Sequence, residues 1–193
     1  MIAEGAHEME ARSIPKALYI SGSPRQRSNT DHLLEEVRSV VPGELIKLPG
    51  LTFEPCRACW ACQTAGHCVM EDELTAILAR LDQVDALVLG TPVHFNNVSS
   101  PMKAFIDRTW CLRGRLRNKI GGAVVVGRRY GAESAVMALQ AFFLKHEMIP
   151  ANRGVNGVAF EAGEIVDDRA ALDAASTLGE RLIELGVLLQ GRR

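Results

Sequence analysis

Ala17-Leu18-Tyr19-Ile20-Ser21-Gly22-Ser23-Pro24-Arg25-Gln26-Arg27-Ser28-Asn29-Thr30 is the stretch that decides the fold. Its first four residues are an unbroken apolar run, too short for a helix, that stops at Ser21-Gly22-Ser23-Pro24. Residues 17–20 therefore read as a strand followed by a turn. Residues 29–41 carry Leu33, Leu34, Val37 and Val40 at helical spacing. Strand, polar turn and helix form the opening of a βαβ unit, and the rest of the chain repeats the alternation.

Residues 45–48 read as a second strand, and Asp72 as the cap of a helix with Leu74, Ile77, Leu78 and Leu81 on its apolar face. Ala86-Leu87-Val88-Leu89 is a third strand, without the polar alternation of a half-exposed one. Ser100-Pro101 reads as an N-cap and first helical residue opening a helix to about Trp110. A fourth strand at 123–126, a helix over 134–146, a weaker fifth strand at 154–160 and a terminal helix over 168–190 complete the series. The pattern predicts an α/β protein built on an open parallel sheet.

With 193 residues and a formal net charge of −1, the chain is long enough for one domain with a sizeable core and lacks a basic field that would attract nucleic acid. Residues 1–15 have neither a basic start nor an apolar centre, so they read as a flexible polar arm, with residues 16–193 as a single domain. No apolar run approaches the ~20 residues of a membrane span. No membrane partner is expected, and clustered cysteines without a secretory signal fit a reducing cytoplasm.

In an open parallel sheet, ligands sit beyond the carboxyl ends of the strands. The loop at 21–30 lacks the three glycines of a dinucleotide fingerprint and the Gly-Lys-Ser/Thr of a P-loop. It offers hydroxyls, an amide and a guanidinium before a helix N-terminus, which suits a phosphate; the alternative is a turn with Ser28 or Asn29 as a plain N-cap. Strand three leads into Gly90-Thr91-Pro92-Val93-His94-Phe95-Asn96-Asn97-Val98, whose rings and amides can frame a flat heteroaromatic group. Strand four leads into Gly127-Arg128-Arg129-Tyr130-Gly131. Three such loops on one edge point to a ligand with a phosphate end and a planar end, the shape of a mononucleotide flavin.

Four of the five cysteines, Cys56, Cys59, Cys62 and Cys68, are spaced C-x2-C-x2-C-x5-C. Thiolates this close can share one inorganic cluster, and the spacing is near the C-x2-C-x2-C-x3-C run of bacterial ferredoxins. Structural zinc more often takes two C-x2-C knuckles held well apart. Zinc, a disulfide and a metal-free reduced loop stay open beside the [4Fe–4S] reading. The proline that follows the last ferredoxin cysteine is Val69 here. With no second run in the chain, Cys68 is expected to close its own cluster.

Ser-Gly-Ser-Pro-Arg-x-x-Ser-Asn-Thr at 21–30, Thr-Pro-Val-x-Phe-x-Asn-Val-Ser at 91–99 and Lys103-Ala-Phe-Ile-Asp107-Arg108 together resemble the NADPH-dependent FMN reductase family over residues 16–160. With its cysteine loop at 54–72, the chain is similar to that family's iron–sulfur flavoprotein branch. The resemblance implies a flavodoxin-like three-layer α/β/α sandwich with a five-stranded sheet of order 2-1-3-4-5. It implies an FMN-dependent oxidoreductase that passes electrons between a [4Fe–4S] cluster, FMN and an external partner. By this analogy Ser23, Arg25, Ser28, Asn29 and Thr30 cradle the FMN phosphate. Pro92, Val93, His94, Phe95 and Asn96, with Arg128 and Gly131, line the isoalloxazine, and Cys56, Cys59, Cys62 and Cys68 ligate the cluster. His94 stands where the family usually has tyrosine and is a candidate for tuning the flavin. A homodimer or homotetramer is expected, with a ferredoxin-like donor or NAD(P)H as electron source. The other enzymatic reading is an NAD(P)H-dependent FMN or quinone reductase without a cluster, and a third is a zinc-stabilised binding module.

Other residues are expected to serve structure. Cys111 reads as an isolated buried hydrophobe with no part in the cysteine set, and His146 as a cation complementing a helix C-terminus. Asp107 and Arg108 read as a structural ion pair. Arg108, Arg113, Arg115, Arg117 and Lys119 form a basic run, either a solvated face or a dock for an acidic donor or a nicotinamide phosphate. His7 and His32 are expected at the surface, and His67 lies inside the cysteine loop as a stray candidate ligand.

Overall fold

The computed structural model describes residues 14–190. The expected polar arm, His7 included, lies almost wholly outside them. β1 (Ala17–Ser21) is buried throughout and pairs in parallel with both β2 (Gly43–Lys47) and β3 (Ala86–Pro92), so that Ile20 stands level with Ile46 and Leu89. β3 pairs with β4 (Ile120–Gly127), whose eight residues are all buried. The strand order is β2-β1-β3-β4-β5, the doubly wound flavodoxin-like order with its switch point between β1 and β3.

The fifth position is where expectation and structure differ. It is divided into β5 (Ile149–Pro150), against the start of β4, and β6 (Val155–Val158), against its end. Pro150 has no N–H to donate, and the interval before β6 holds Gly154 at φ 106°, so one continuous strand cannot form there.

Helices cover both faces. α1 (Asn29–Val40) and α6 (Arg169–Gln190) bury Leu33, Leu34, Val37, Leu178 and Leu182 on one side. α3 (Glu73–Leu78), α4 (Ser100–Arg108) and α5 (Ala132–Lys145) cover the other with Leu74, Phe105, Leu139 and Phe143, while α2 (Cys62–Ala65) is a single turn within the cysteine loop. Each fully buried large apolar side chain contributes ~2 kcal/mol, so these two layers carry most of the folding free energy. Tyr19, in the first layer, donates its hydroxyl to the Val41 carbonyl at 2.5 Å, and burial pushes its phenol well above the ordinary range.

The caps follow side-chain chemistry. Ser28 and Asp72 accept from the backbone N–H three residues on, and Asp168 accepts from Ala171 N at 3.1 Å. α4 departs from expectation by one residue: Ser99 is its N-cap, so Ser100 is N1 and Pro101 N2. Ser99 is drawn away from solvent because its Oγ donates to the Gly22 carbonyl at 2.7 Å and its N–H to Thr91 Oγ1 at 2.9 Å. That pair of bonds ties the loops after β1 and β3 together.

Candidate active site and cysteine pocket

Two cavities carry the chemistry-bearing residues. The first, of about 260 Å³, lies at the carboxyl edge of the sheet and gathers Ser23, Arg25, Asn29, Thr30, Pro92, Val93, His94 and Arg128. Its floor is the open end of α1, where the N–H groups of Asn29 and Thr30 have no partner within the helix and the dipole favours an anion. Asp31 in the same first turn would oppose an anion, but Lys47 pairs with it at 2.5 Å and Ser21 Oγ donates to it. Lys47 also donates to the Arg25 carbonyl at 2.9 Å, which fixes the loop and leaves the Arg25 side chain exposed at the rim.

Close approach is built into this edge. A Cβ on Gly22 would stand 2.6 Å from Ser99 Oγ, so only glycine lets the start of α4 sit on the loop. His94 and Asn97 exchange backbone hydrogen bonds at 2.9 and 3.0 Å around Phe95 (φ 47°) and Asn96 (φ 59°). This is the geometry of a type I′ turn, uncommon for a phenylalanine. Phe95 is fully exposed at its tip. Gly131, at φ 77°, abuts that turn, and a Cβ there would fall 2.4 Å from Asn96 Oδ1.

The predicted residues do not all play the part first expected. Ser28 caps α1, its Oγ accepting from Asp31 N at 3.0 Å, and stands outside the cavity lining. Asn29 lines the cavity, but its side-chain amide donates to the Glu161 carbonyl at 2.7 Å and accepts from Gly163 N at 2.7 Å. Its backbone N–H is what remains for a ligand. Phe95, Asn96 and Gly131 shape the turn beside the cavity without lining it. Arg128 donates to the Phe160 carbonyl at 3.0 Å. Pro24, Val126, Gly127 and Ala159 complete the lining, and Ala159 was missed from sequence. It follows β6, and applying the carboxyl-edge rule to the fifth strand as well as the first four would have found it.

The second cavity, of about 390 Å³, is lined by Cys56, Cys59, Cys62 and Cys68 together with Cys111, Arg57, Trp60, Met70, Arg108 and Trp110. All five thiols are free, with Cys56 and Cys59 exposed. Backbone in the left-handed region at Ala58 (φ 50°) and Trp60 (φ 60°) turns the loop sharply between the first three. Among the described residues no three His, Cys, Asp or Glu side chains are drawn together at metal-binding distance. Four thiols around one cavity nonetheless suit an iron–sulfur cluster by donor type, and convergence of such ligands is driven by the metal itself. His67 turns its Nδ1 toward the Ala65 carbonyl at 2.9 Å.

Beneath the loop, the Arg108 guanidinium is fully buried and grips Asp72 through both carboxylate oxygens at 2.6 and 3.0 Å. That bidentate bond, against the cost of burial, holds the Asp72 carboxyl down at about 2. The expected Asp107–Arg108 pair is not formed: Asp107 pairs with Lys103 one helical turn back, because side chains at adjacent helix positions point apart. Cys111 is not isolated. It is half-buried in the cysteine cavity with its thiol donating to the Arg108 carbonyl at 3.3 Å, and burial plus the nearby Cys68 raises its pKa.

The basic run is largely consumed by the fold. Arg115 pairs with Asp82, Arg117 with Glu147, Lys119 donates to the Asp82 and Val84 carbonyls, and Arg113 lies over the Trp110 ring at 5.1 Å. His32 is partly exposed beside Glu36. His146 is buried, and Thr109 Oγ1, whose proton goes to the Ile106 carbonyl, accepts from its Nε2 at 3.0 Å. Burial and Lys145 lower its pKa, so it is a neutral core residue, not a cation serving the helix dipole.

The sequence model for NADPH-dependent FMN reductase matches residues 15–162. An iron-sulfur flavoprotein of Methanocaldococcus jannaschii is 35% identical over 191 residues, covering 91% of this chain and 99% of the relative. An iron-sulfur flavoprotein of Archaeoglobus fulgidus is 33% identical over 192 residues, covering 88% and 94%. Among solved structures, the Trp repressor binding protein of Bacillus subtilis superposes with a TM-score of 0.66 at 23% identity, covering 84% of this chain and 99% of that one, a likeness of fold.

Proposed function

The chain belongs to the NADPH-dependent FMN reductase family, and from that premise we propose that it passes electrons between a [4Fe–4S] cluster, FMN and an external partner. At the coarser level it is a flavin-dependent oxidoreductase that uses FMN. The observation that carries the fuller reading is the pairing of an anion-ready helix end and the Pro92-Val93-His94 wall in one cavity with a second cavity that collects all five thiols.

Bound in the first cavity, FMN supplies one- and two-electron chemistry to partners of either kind. The chain's own contribution is positional. The first-turn amides of α1, with Ser23, Thr30 and Arg25, hold the phosphate end, and the Lys47–Asp31 pair removes a charge that would repel it. Pro92, Val93 and His94 wall the planar end, braced by the packing of Gly131 on Asn96. In the second cavity Cys56, Cys59, Cys62 and Cys68 are the proposed ligands, with the buried Arg108–Asp72 pair anchoring the base of their loop.

The two cavities share no lining residue. α4 runs between them, from Ser99 at the flavin edge to Arg108 at the cysteines, roughly 13.5 Å along its axis. A homodimer or homotetramer in which one subunit's cluster serves another's flavin belongs to the same proposal. A ferredoxin-like protein or NAD(P)H is the proposed donor, residues 16–193 act as one domain, and free thiols suit a reducing cytoplasm. No helix among the described residues is long and apolar enough to cross a membrane.

Anaerobic purification followed by absorption spectroscopy and assay of iron, acid-labile sulfide and acid-released flavin tests the proposal. The expected result is FMN together with about four irons and four sulfides per chain. Recovery of FAD, or stoichiometric zinc without sulfide, would overturn it. The dispersed thiols favour one second reading, a cluster-free NAD(P)H-dependent reductase, which predicts FMN bleached by NAD(P)H in protein without iron.

A further inference from the structure

The Arg108 guanidinium carries five N–H groups, and four are spent. Its two Nη atoms donate to the Glu54 carbonyl at 2.7 Å, to Asp72 at 2.6 and 3.0 Å and to Thr75 Oγ1 at 3.1 Å. The fifth, on Nε, is buried and has no partner. An unpaired N–H on a buried cation is costly, and native structures rarely keep one without a use. Arg108 lines the cysteine cavity, and Cys68 acts on its guanidinium both as a nearby charge and as a hydrogen-bond acceptor within reach, although Nε–H has not closed a bond to its sulfur. Asp72 balances the charge from the opposite side, so the pair presents a fixed dipole whose positive end borders the thiols.

Building on the cluster reading above, we propose that Arg108 is a positioning residue of the cysteine pocket whose Nε–H donates a hydrogen bond to a sulfur of the cluster or of its Cys68 ligand and so raises the cluster's reduction potential. Reduction adds negative charge that spreads onto the sulfurs. A donor aimed at one of them therefore stabilises the reduced form more than the oxidised form. Surface lysines would be screened by water and salt, whereas this guanidinium is buried and locked by four hydrogen bonds. Lysine at the same position keeps the charge but cannot hold Asp72 through two parallel bonds and still offer a fifth donor to the cavity.

The test compares wild-type protein with Arg108→Lys, both prepared anaerobically. Iron, sulfide and FMN per chain are measured alongside the cluster midpoint potential from an EPR-monitored titration. In variant protein that holds its cluster, the reduction equilibrium is expected to shift about tenfold toward the oxidised form, 59 mV more negative for one electron. A loaded variant with unchanged potential overturns the inference.

If the variant does not hold its cluster, pulsed EPR of reduced wild-type protein grown on 15N-arginine decides the matter. A weakly coupled arginine nitrogen that persists in Arg57→Lys supports the inference, and the absence of any arginine coupling overturns it. Iron-free wild-type protein would instead overturn the cluster reading itself and take this inference with it.

Discussion

The flavin edge and the cysteine loop are built on opposite physical plans. At the flavin edge the loops after β1, β3 and β4 are locked to one another before any ligand arrives, by Ser99 on Gly22, Lys47 on the Arg25 carbonyl and Gly131 against Asn96. The cysteine loop is secured at its base, where Arg108 holds Glu54 and Asp72, while Cys56, Cys59 and Trp60 above it are exposed. The difference is the one the two proposed ligands call for. A mononucleotide is recognised by hydrogen bonds and shape, which reward preorganisation. Thiolates are drawn into place by bonds to metal, so the protein need only keep them within reach.

The sharpest way to break this comparison is Cys59→Ala. Bound iron should be lost entirely while FMN is retained at wild-type stoichiometry, since the two cavities share no residue. Loss of FMN along with iron, seen by metal and flavin assay of one preparation, would show that the flavin edge depends on the loop.

Next in size is Asp72→Asn, which leaves the buried Arg108 charge without its partner and should cost about 3 kcal/mol at neutral pH in urea unfolding. The Asp72 carboxyl is lowered from 3.8 to about 2 in the folded protein. The ionised form therefore adds stability above the ordinary carboxyl value, and this contribution is lost as pH falls through the folded value. The gap between wild type and variant should narrow between about pH 4 and pH 2. A gap constant across that window would mean the pair contributes nothing through charge.

Gly131→Ala tests the flavin edge by placing a methyl group against Asn96 at a positive φ. It should cost about 2 kcal/mol, read as a lower melting temperature and roughly tenfold or greater weakening of FMN binding, with iron content unchanged. Ser28→Ala removes only a cap. We expect about 1 kcal/mol from the urea midpoint with an unchanged slope. Arg115→Ala breaks an exposed pair with Asp82 and should move stability by at most about 0.5 kcal/mol. A larger change would mean that the surface below the cysteine loop contributes to holding it.

Much of the flavin edge was legible without a structure, because its signals are local. The strand at 17–20, the hydroxyl-rich turn and the helix from residue 29 lie within one short stretch, and the turn residues after β3 and β4 are contiguous. Ser28 shows the limit: a phosphate ligand and an N-cap demand the same residue type, and only geometry shows that its Oγ is already engaged by Asp31 N. Asn29 shows the same, its amide taken by a segment more than 130 residues away.

The sequence by itself determined the α/β alternation, the parallel sheet, the caps at Ser28 and Asp72 and the spacing of four cysteines. Each depends on backbone periodicity or on neighbours within one or two helical turns. Only the tertiary structure decided that Arg108 turns to Asp72 across 36 residues, that Cys111 joins the other thiols, that His146 is neutral in the core and that Ala159 closes the flavin cavity. Those contacts arise where helices cross the sheet and bring distant residues together. Burial there sets protonation and pairing, and neither periodicity nor spacing along the chain reports which distant residues will meet.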